Sequence, residues 1–180
     1  IHAYIQLVKK RYPDVNVKSL LNDADMKPHE VDDQGHWFTQ EEVNRFHEKM
    51  IDLTGDENIA RESGRYAASP ESIGVMRQYI LGFMNPAKVY EKIEKTAAQF
   101  SRSCRFEYSK INSKKIEITA TPHDGVNEKK FQCENRIGHF ESIALVFNNK
   151  IPKIEHPECI FKGGKKCRYI VSWESNLFSI

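Results

Sequence analysis

The spacing of apolar residues changes abruptly at Ser101, and this change limits the folds that the chain can adopt. Before Ser101, apolar residues recur every three or four positions, as in Val89, Ile93 and Ala97, which is typical of amphipathic helices. After it, "KKIEITATP" alternates apolar and polar residues, which is typical of a strand with one buried face. The chain therefore combines helices with strands.

Helix signals dominate the part before Ser101. Thr39 and Glu42 have the spacing of a capping box, which begins a helix, and Gly55 is predicted to end that helix. "NIARESGRYAAS" and "SPESIGVMRQYILGFM" have helical periods, and Asn85-Pro86 begins a further helix. We expect a helical region before the first strand.

Two hairpins and one long helix are predicted after Ser101. "CRFEYSKI" and "KKIEITATP" form the first hairpin, and "KIEHPECIF" and "KCRYIVSW" form the second. The helix between them presents one apolar face, made of Cys133, Ile137, Phe140, Ala144 and Phe147. The predicted fold class is α+β: an antiparallel sheet built from two hairpins, packed with helices and preceded by a helical N-terminal region.

Composition excludes several classes of function. The 180 residues include 27 basic and 25 acidic side chains, a net charge of +2, so no strong field attracts nucleic acid or an anionic membrane. No apolar run is long enough to cross a bilayer, and the N-terminus lacks a signal-peptide pattern. We expect a cytoplasmic domain. A start without Met and an end in "SWESNLFSI" indicate a piece of a longer protein.

The stretch "HPECIFKGGKKC" concentrates the residues that could carry chemistry. A three-residue loop over 162–164, with one glycine in the left-handed conformation, would place Cys159 opposite Cys167 on one face of the hairpin. In a regular strand, His156 would face away from Cys159. Pro157 indicates a bend or bulge, which would place His156 on the same face as Cys159. Cys133, on the core face of the preceding helix, is the fourth candidate.

Three sulfurs and one imidazole match what a structural zinc site requires, but two other interpretations stay open at this point. Buried cysteines without a metal are common, and they explain the pattern as well as zinc does. A disulfide between Cys159 and Cys167 is sterically possible, although a reducing compartment disfavours it.

The C-terminal third resembles the vinyl-reductase-type small-molecule-binding domain, a relative of the haem-nitric-oxide-binding and Golgi-transport fold. The pattern "EC-x3-GG-x2-C-x-Y-x-V-x-W" carries the resemblance, which extends over residues 60 to 174. In the phenol-sensing regulators of that family, three cysteines and one glutamate hold zinc. Their cysteine spacings match those of Cys133, Cys159 and Cys167, and His156 stands in place of the glutamate. The resemblance thus implies zinc as a cofactor.

The resemblance also implies a function. Domains of this type are sensory inputs of bacterial signal-transduction proteins, histidine kinases or cyclic-diguanylate enzymes among them, and are not enzymes themselves. We expect a homodimer that binds a small hydrophobic or aromatic ligand and acts on a covalently attached output module. The candidate ligand-binding residues are aromatic or aliphatic: Tyr66, Phe83, Tyr108, Phe140 and Ile154.

This interpretation divides the chain into three parts. Residues 57–174 form the ligand-binding domain, residues 1–56 form a helical region that is a possible dimer arm, and residues 175–180 begin a linker. The charged runs "NSKK", "NEKK" and "GGKK" are predicted to be solvated loop tips.

Two other functions are compatible with the same residues. One is an accessory component of a tetrapyrrole reductase, although the chain has no dinucleotide-binding fingerprint, P-loop or nucleophile elbow. The other is a dimerisation scaffold without a sensing role. A filled core would favour this alternative.

Overall fold

The computed structural model confirms the α+β class, and it describes residues 1–33, 35–73, 81–82, 84–99, 101–148 and 150–174. The helices before the first strand are α1 (His2–Arg11), α2 (Val17–Asp23), α3 (Pro28–Asp32), α4 (Gln40–Thr54), α5 (Ile59–Tyr66), α6 (Pro70–Ile73) and α7 (Pro86–Thr96), which a 3₁₀ turn (Ala97–Gln99) follows. The remaining elements are β1 (Cys104–Asn112), β2 (Lys115–Pro122), α8 (Lys130–Asn148), β3 (Lys153–Glu158) and β4 (Cys167–Ser172).

The helix termini lie where the sequence predicts them. The Thr39 side chain accepts a hydrogen bond from the Glu42 backbone N–H, the Glu42 carboxylate accepts one from the Thr39 N–H, and α4 ends at Gly55. The Asn85 side chain accepts a hydrogen bond from the Lys88 N–H, at 3.0 Å, at the start of α7. Of the helix predicted to begin near Pro70, residues 74–80 and 83 lie outside the described part.

The four strands form one antiparallel sheet in the order β1-β2-β4-β3. Ile118 in β2 lies opposite Tyr108 in β1 and opposite Tyr169 in β4. The sheet therefore consists of the two predicted hairpins, joined along β2 and β4, and α8 connects one hairpin to the other.

Two groups of buried side chains form the core. The first lies between the sheet and helices α7 and α8, and it includes the predicted apolar positions of α8 at Cys133, Ile137, Phe140 and Ala144. The second is formed mainly by α1, α2 and α4, and both Ile59 and Tyr66 of α5 also pack against it. The division of the chain at residue 56 stays a prediction.

Helices α5 and α8 cross at a very short distance, which two glycines make possible. A Cβ atom on Gly64 would lie 2.2 Å from the Asn135 carbonyl oxygen. A Cβ atom on Gly138 would lie 2.0 Å from the Arg61 carbonyl oxygen. Because backbone atoms on a packed helix cannot move aside singly, both positions require glycine.

A buried carboxylate holds the same crossing together. Glu141 of α8 is 1% exposed and accepts hydrogen bonds from Arg61 Nη2 and Arg65 Nε of α5, each at 2.5 Å. Burial by itself would raise the pKa of Glu141, but the hydrogen bonds from the two guanidinium groups outweigh it and hold the pKa below its usual value. The crossing thus joins the N-terminal helices to α8.

The described helices include none whose length and hydropathy would let it cross a membrane.

Candidate functional site

The structure brings together all four residues predicted to bind a metal. One ligand atom from each of Cys133, His156, Cys159 and Cys167 lies within 4.8 Å of all the others. Cys133, Cys159 and Cys167 are buried, and His156 is half-buried. Every cysteine of the chain lies in the described part and is a free thiol, so the alternative disulfide is not formed. We call these four residues the thiol cluster.

The predicted bulge places His156 in the thiol cluster. Glu155 lies opposite Ile170, but Glu158 lies opposite Arg168, so β3 contains one extra residue between them. The register shift falls on His156 and Pro157, as the proline indicates. The extra residue lets side chains on both sides of Pro157 share one face of the hairpin, which a regular strand would not allow.

The connection after Cys159 is longer than the predicted three-residue loop. Residues 159–166 link the strands, and a 3₁₀ turn over Ile160–Lys162 occupies the middle. The Cys159 carbonyl oxygen accepts hydrogen bonds from the N–H groups of Lys162 and Gly164, both at 2.9 Å. The backbone folds tightly around Cys159 and directs its side chain towards Cys133 and Cys167, whose ligand atoms lie within 4.8 Å of it.

Both glycines of the turn are needed for this conformation. Gly163 has φ of 86°, in the left-handed region that the sequence predicts for one of the pair. A Cβ atom on Gly164 would lie 2.9 Å from the Cys159 carbonyl oxygen, so this position excludes a side chain for a different reason. The Gly-Gly pair therefore determines where Cys159 lies.

Cys133 and Cys167 are in direct contact within the thiol cluster. Their sulfur atoms lie 3.4 Å apart, within hydrogen-bonding distance. The hydrogen bond with Cys133 lowers the pKa of the Cys167 thiol, because it stabilises the thiolate form. The same hydrogen bond raises the pKa of Cys133. The pair therefore favours deprotonation at Cys167 over Cys133.

The imidazole of His156 is held by ring packing. It stacks on Tyr169 of β4, with 4.3 Å between the ring centroids and 23° between the ring planes. Its Nε2 atom is buried and has no hydrogen-bond partner among the described residues. Tyr169 in turn packs edge-on against Phe140 of α8 at 5.2 Å. The His156 ring is therefore oriented by Tyr169 of the sheet, which the long helix supports through Phe140.

The predicted ligand-binding residues lie in two different places. Tyr108, Phe140 and Ile154 belong to the core between the sheet and α8, whereas Tyr66 packs with the N-terminal core. Phe83 lies outside the described residues. Their joint role in a ligand cavity stays a prediction.

The sequence did not predict the buried ion pair that lies near the thiol cluster. Arg136 of α8 is 8% exposed and pairs with Glu128, which is 5% exposed. The prediction that "NEKK" is a solvated loop tip is therefore wrong at Glu128, because the chain folds inward there to pair its carboxylate with Arg136. Arg136 lies three residues after Cys133, so an arginine on the apolar face of α8 was the available signal.

Neither a family model nor a curated protein matches the sequence. Solved structures do match the fold. One is an oxygen-binding H-NOX domain related to soluble guanylate cyclases, with a TM-score of 0.72 and 16% identity over 99% of this chain and 95% of that one. Another is an H-NOX protein from S. oneidensis in the Fe(II)NO state, with a TM-score of 0.70 and 11% identity over 97% of this chain and 100% of that one. The chain has the fold of these domains.

These comparisons correct two predictions. The relation to the haem-nitric-oxide-binding fold is confirmed for the fold, but nothing in them supports the vinyl-reductase or Golgi-transport part of the resemblance. The assignment of zinc as the cofactor is wrong, since the solved structures with this fold are described by their haem. The structure itself shows that the four side chains of the thiol cluster converge.

Proposed function

We propose that the chain is a small-molecule-sensing domain of a signalling protein, in which the thiol cluster holds a metal ion that joins α8 to the terminal hairpin. One observation carries the proposal: four potential ligand atoms, from α8, β3, β4 and the connection between the two strands, lie within 4.8 Å of one another. Buried thiols and an imidazole in such a group are the ligands that soft and borderline transition-metal ions prefer.

The sensing part of the proposal is supported by the fold. One solved structure that shares it is described as an oxygen-binding domain related to soluble guanylate cyclases. We infer the same class of role here: the domain binds a small ligand, carries out no reaction, and acts as a homodimer on an output module of the same cytoplasmic signalling protein. This inference is an analogy of fold, and the cluster is the local evidence beside it.

Two buried side chains that could bind haem iron, Tyr90 and His47, are not free to do so in the described structure. Haem iron takes a histidine, cysteine, methionine or tyrosine as its axial ligand. Tyr90, which is fully buried, donates its hydroxyl hydrogen bond to the Phe140 carbonyl oxygen at 2.6 Å, and its ring lies 5.2 Å from that of Trp173. The buried His47 stacks on Phe131 at 3.9 Å. Both candidate ligands are therefore already packed against other rings, and the proposal contains no step at a haem.

The place of α8 in the fold gives the proposed metal site its role. Near its start, α8 contributes Cys133 to the thiol cluster, and five residues later Gly138 contacts α5. One rigid helix therefore contacts both the N-terminal helices and the terminal hairpin. We infer that a metal at Cys133 transmits a shift of α8 to β4, which leads to the end of the described chain at residue 174.

Cobalt binding tests the proposal. Co²⁺ bound by thiolates absorbs strongly in the near ultraviolet, through charge transfer from sulfur to metal. We expect metal-free, reduced protein to develop this band and to saturate at one Co²⁺ per chain. Cys159→Ser should weaken the band by about one third, because three thiolates become two.

The matched control for this experiment is Cys104→Ser. Cys104 is also a buried free thiol, but it lies outside the thiol cluster, so its substitution should leave the band unchanged. The proposal is wrong if no charge-transfer band appears, or if Cys104→Ser weakens the band as much as Cys159→Ser.

A further inference from the structure

A cavity of about 320 Å³ opens between the end of α7 and the start of β1. We call it the Cys104 cavity. Its volume is at the lower end of the range of small-molecule sites. None of the thiol-cluster residues lines it. Its lining includes Ala97, Cys104 and Phe106.

The ion pair of Arg136 and Glu128 lies directly behind one wall of this cavity. Arg136 Nη2 donates a hydrogen bond to the Cys104 sulfur at 3.3 Å, and the guanidinium carbon lies 5.8 Å from the centre of the Phe106 ring. Cys104 and Phe106 both line the cavity. Cys104 and Phe106 therefore contact both the cavity and Arg136.

The ion pair uses only part of its hydrogen-bonding capacity. Arg136 Nη2 donates to Glu128 Oε1, which also accepts a hydrogen bond from the Ser103 hydroxyl at 2.6 Å. The other two atoms, Arg136 Nη1 and Glu128 Oε2, are buried and have no hydrogen-bond partner among the described residues. A buried polar atom without a partner destabilises the folded chain. A molecule that offers one acceptor and one donor side by side would satisfy both atoms.

The charges around the cavity indicate that this molecule is uncharged. Glu107 lies in an ion pair with Arg105 at 3.5 Å, and Glu128 pairs with Arg136. Counting the lining residues and these partners, three arginines face three carboxylates: Arg102, Arg105 and Arg136 against Glu94, Glu107 and Glu128. With no excess of either sign, the cavity gives neither an anion nor a cation an advantage.

We infer that the Cys104 cavity binds a small uncharged molecule that ends in a primary carboxamide. The carbonyl oxygen of the amide accepts from Arg136 Nη1, and its N–H donates to Glu128 Oε2. The apolar body of the molecule contacts Ala97 and Phe106. Because the two polar atoms are covered, the amide reaches them by displacing the Cys104 side chain, which lines the cavity and contacts Arg136.

This inference deepens the proposed sensing function and rests on it for its purpose. The cavity is formed by α7 and β1 rather than by the thiol cluster, while Arg136 belongs to α8, the helix that carries Cys133. Binding at the cavity can therefore act on the same helix as the metal site. Since no residue is shared, the binding experiment and the cobalt experiment can fail separately.

Calorimetric titration with benzamide tests the inference, with benzoate as the comparison. We expect benzamide to bind at least tenfold more tightly than benzoate, because the carboxylate has no N–H for Glu128. Ala97→Trp fills the cavity and should abolish binding. Ala68→Trp places the same side chain in another cavity, which Ala68 lines at the end of α5, and should leave binding unchanged.

A second variant tests whether the Arg136–Glu128 ion pair holds the amide group. Glu128→Gln keeps an oxygen for Arg136 but offers an N–H where Oε2 was. Benzamide should then bind about tenfold more weakly, which corresponds to about 1.4 kcal/mol, and benzoate should bind more tightly than before. Circular dichroism verifies that each variant is folded. If Ala97→Trp does not fold, the ratio of benzamide to benzoate affinity in Glu128→Gln tests the inference by itself.

The inference is overturned if benzamide gives no binding heat at millimolar concentration. It is equally overturned if folded Ala97→Trp binds benzamide as the unmodified protein does, or if Glu128→Gln leaves the ratio of the two affinities unchanged.

Discussion

Gly138→Ala should lower the free energy of unfolding by about 3 kcal/mol, near the upper end of what overpacking in a core usually costs. The added Cβ atom would lie 2.0 Å from the Arg61 carbonyl oxygen and 2.9 Å from its carbonyl carbon. Because both are backbone atoms of α5, the two helices must separate. That separation also stretches the hydrogen bonds from Arg61 and Arg65 to Glu141, which is buried and costly to leave unpaired.

Urea unfolding followed by circular dichroism measures this effect, and Gly82→Ala is the matched control. A Cβ atom on Gly82 would meet nothing within 4 Å, so the same substitution there should cause no loss of stability. Equal urea midpoints for Gly138→Ala and the unmodified protein would show that the α5–α8 crossing is not as close as described.

Removing the metal should lower the free energy of unfolding by about 4 kcal/mol, if the ion is present at a thousand times its dissociation constant. An ion that binds only the folded thiol cluster stabilises the folded state by mass action, and a chelator removes this contribution. Cys167→Ala removes a fully buried ligand, so the variant should have nearly the same urea midpoint with and without the chelator.

Cys104→Ala is the control for the chelator experiment. This residue lies outside the thiol cluster, so the variant should keep its full response to the chelator. The proposed metal site is wrong if the unmodified protein unfolds at the same urea concentration with and without the chelator. It is also wrong if the chelator still lowers the urea midpoint of Cys167→Ala.

The main elements of the fold could be predicted because their signals are local. The change of apolar period at Ser101 separates helices from strands, and the capping side chains of Thr39 and Asn85 lie within three residues of the groups they bind. The bulge at Pro157 is local as well, since a proline inside a strand cannot take part in a regular ladder. Such features depend on neighbours along the chain, which a sequence displays directly.

The thiol cluster was predictable in part for the same reason. His156, Cys159 and Cys167 belong to one hairpin, and the Gly-Gly pair indicates its turn. The exact connection was not predictable: the Cys159 carbonyl oxygen accepts two hydrogen bonds and creates a 3₁₀ turn where a three-residue loop was expected. Cys133 required an inference about tertiary packing, which its place on the apolar face of α8 provided.

Contacts between distant segments could not be read from the sequence. Gly64 and Gly138 are ordinary helical glycines until α5 and α8 are seen to cross there. Glu128 lies in a run with two lysines, and its burial depends entirely on Arg136 reaching it from α8. In each case the physical cause is a neighbour in space. The helical period places Arg136 on the apolar face of α8, but it does not identify Glu128 as its partner.

Native mass spectrometry of protein purified without added metal tests the proposed metal site, because it reports bound metal and oligomeric state together. We expect one metal ion per chain, whose mass identifies it, and loss of that ion in Cys167→Ala but not in Cys104→Ala. A metal-free, folded protein in which all four cysteines react readily with a thiol reagent would contradict it.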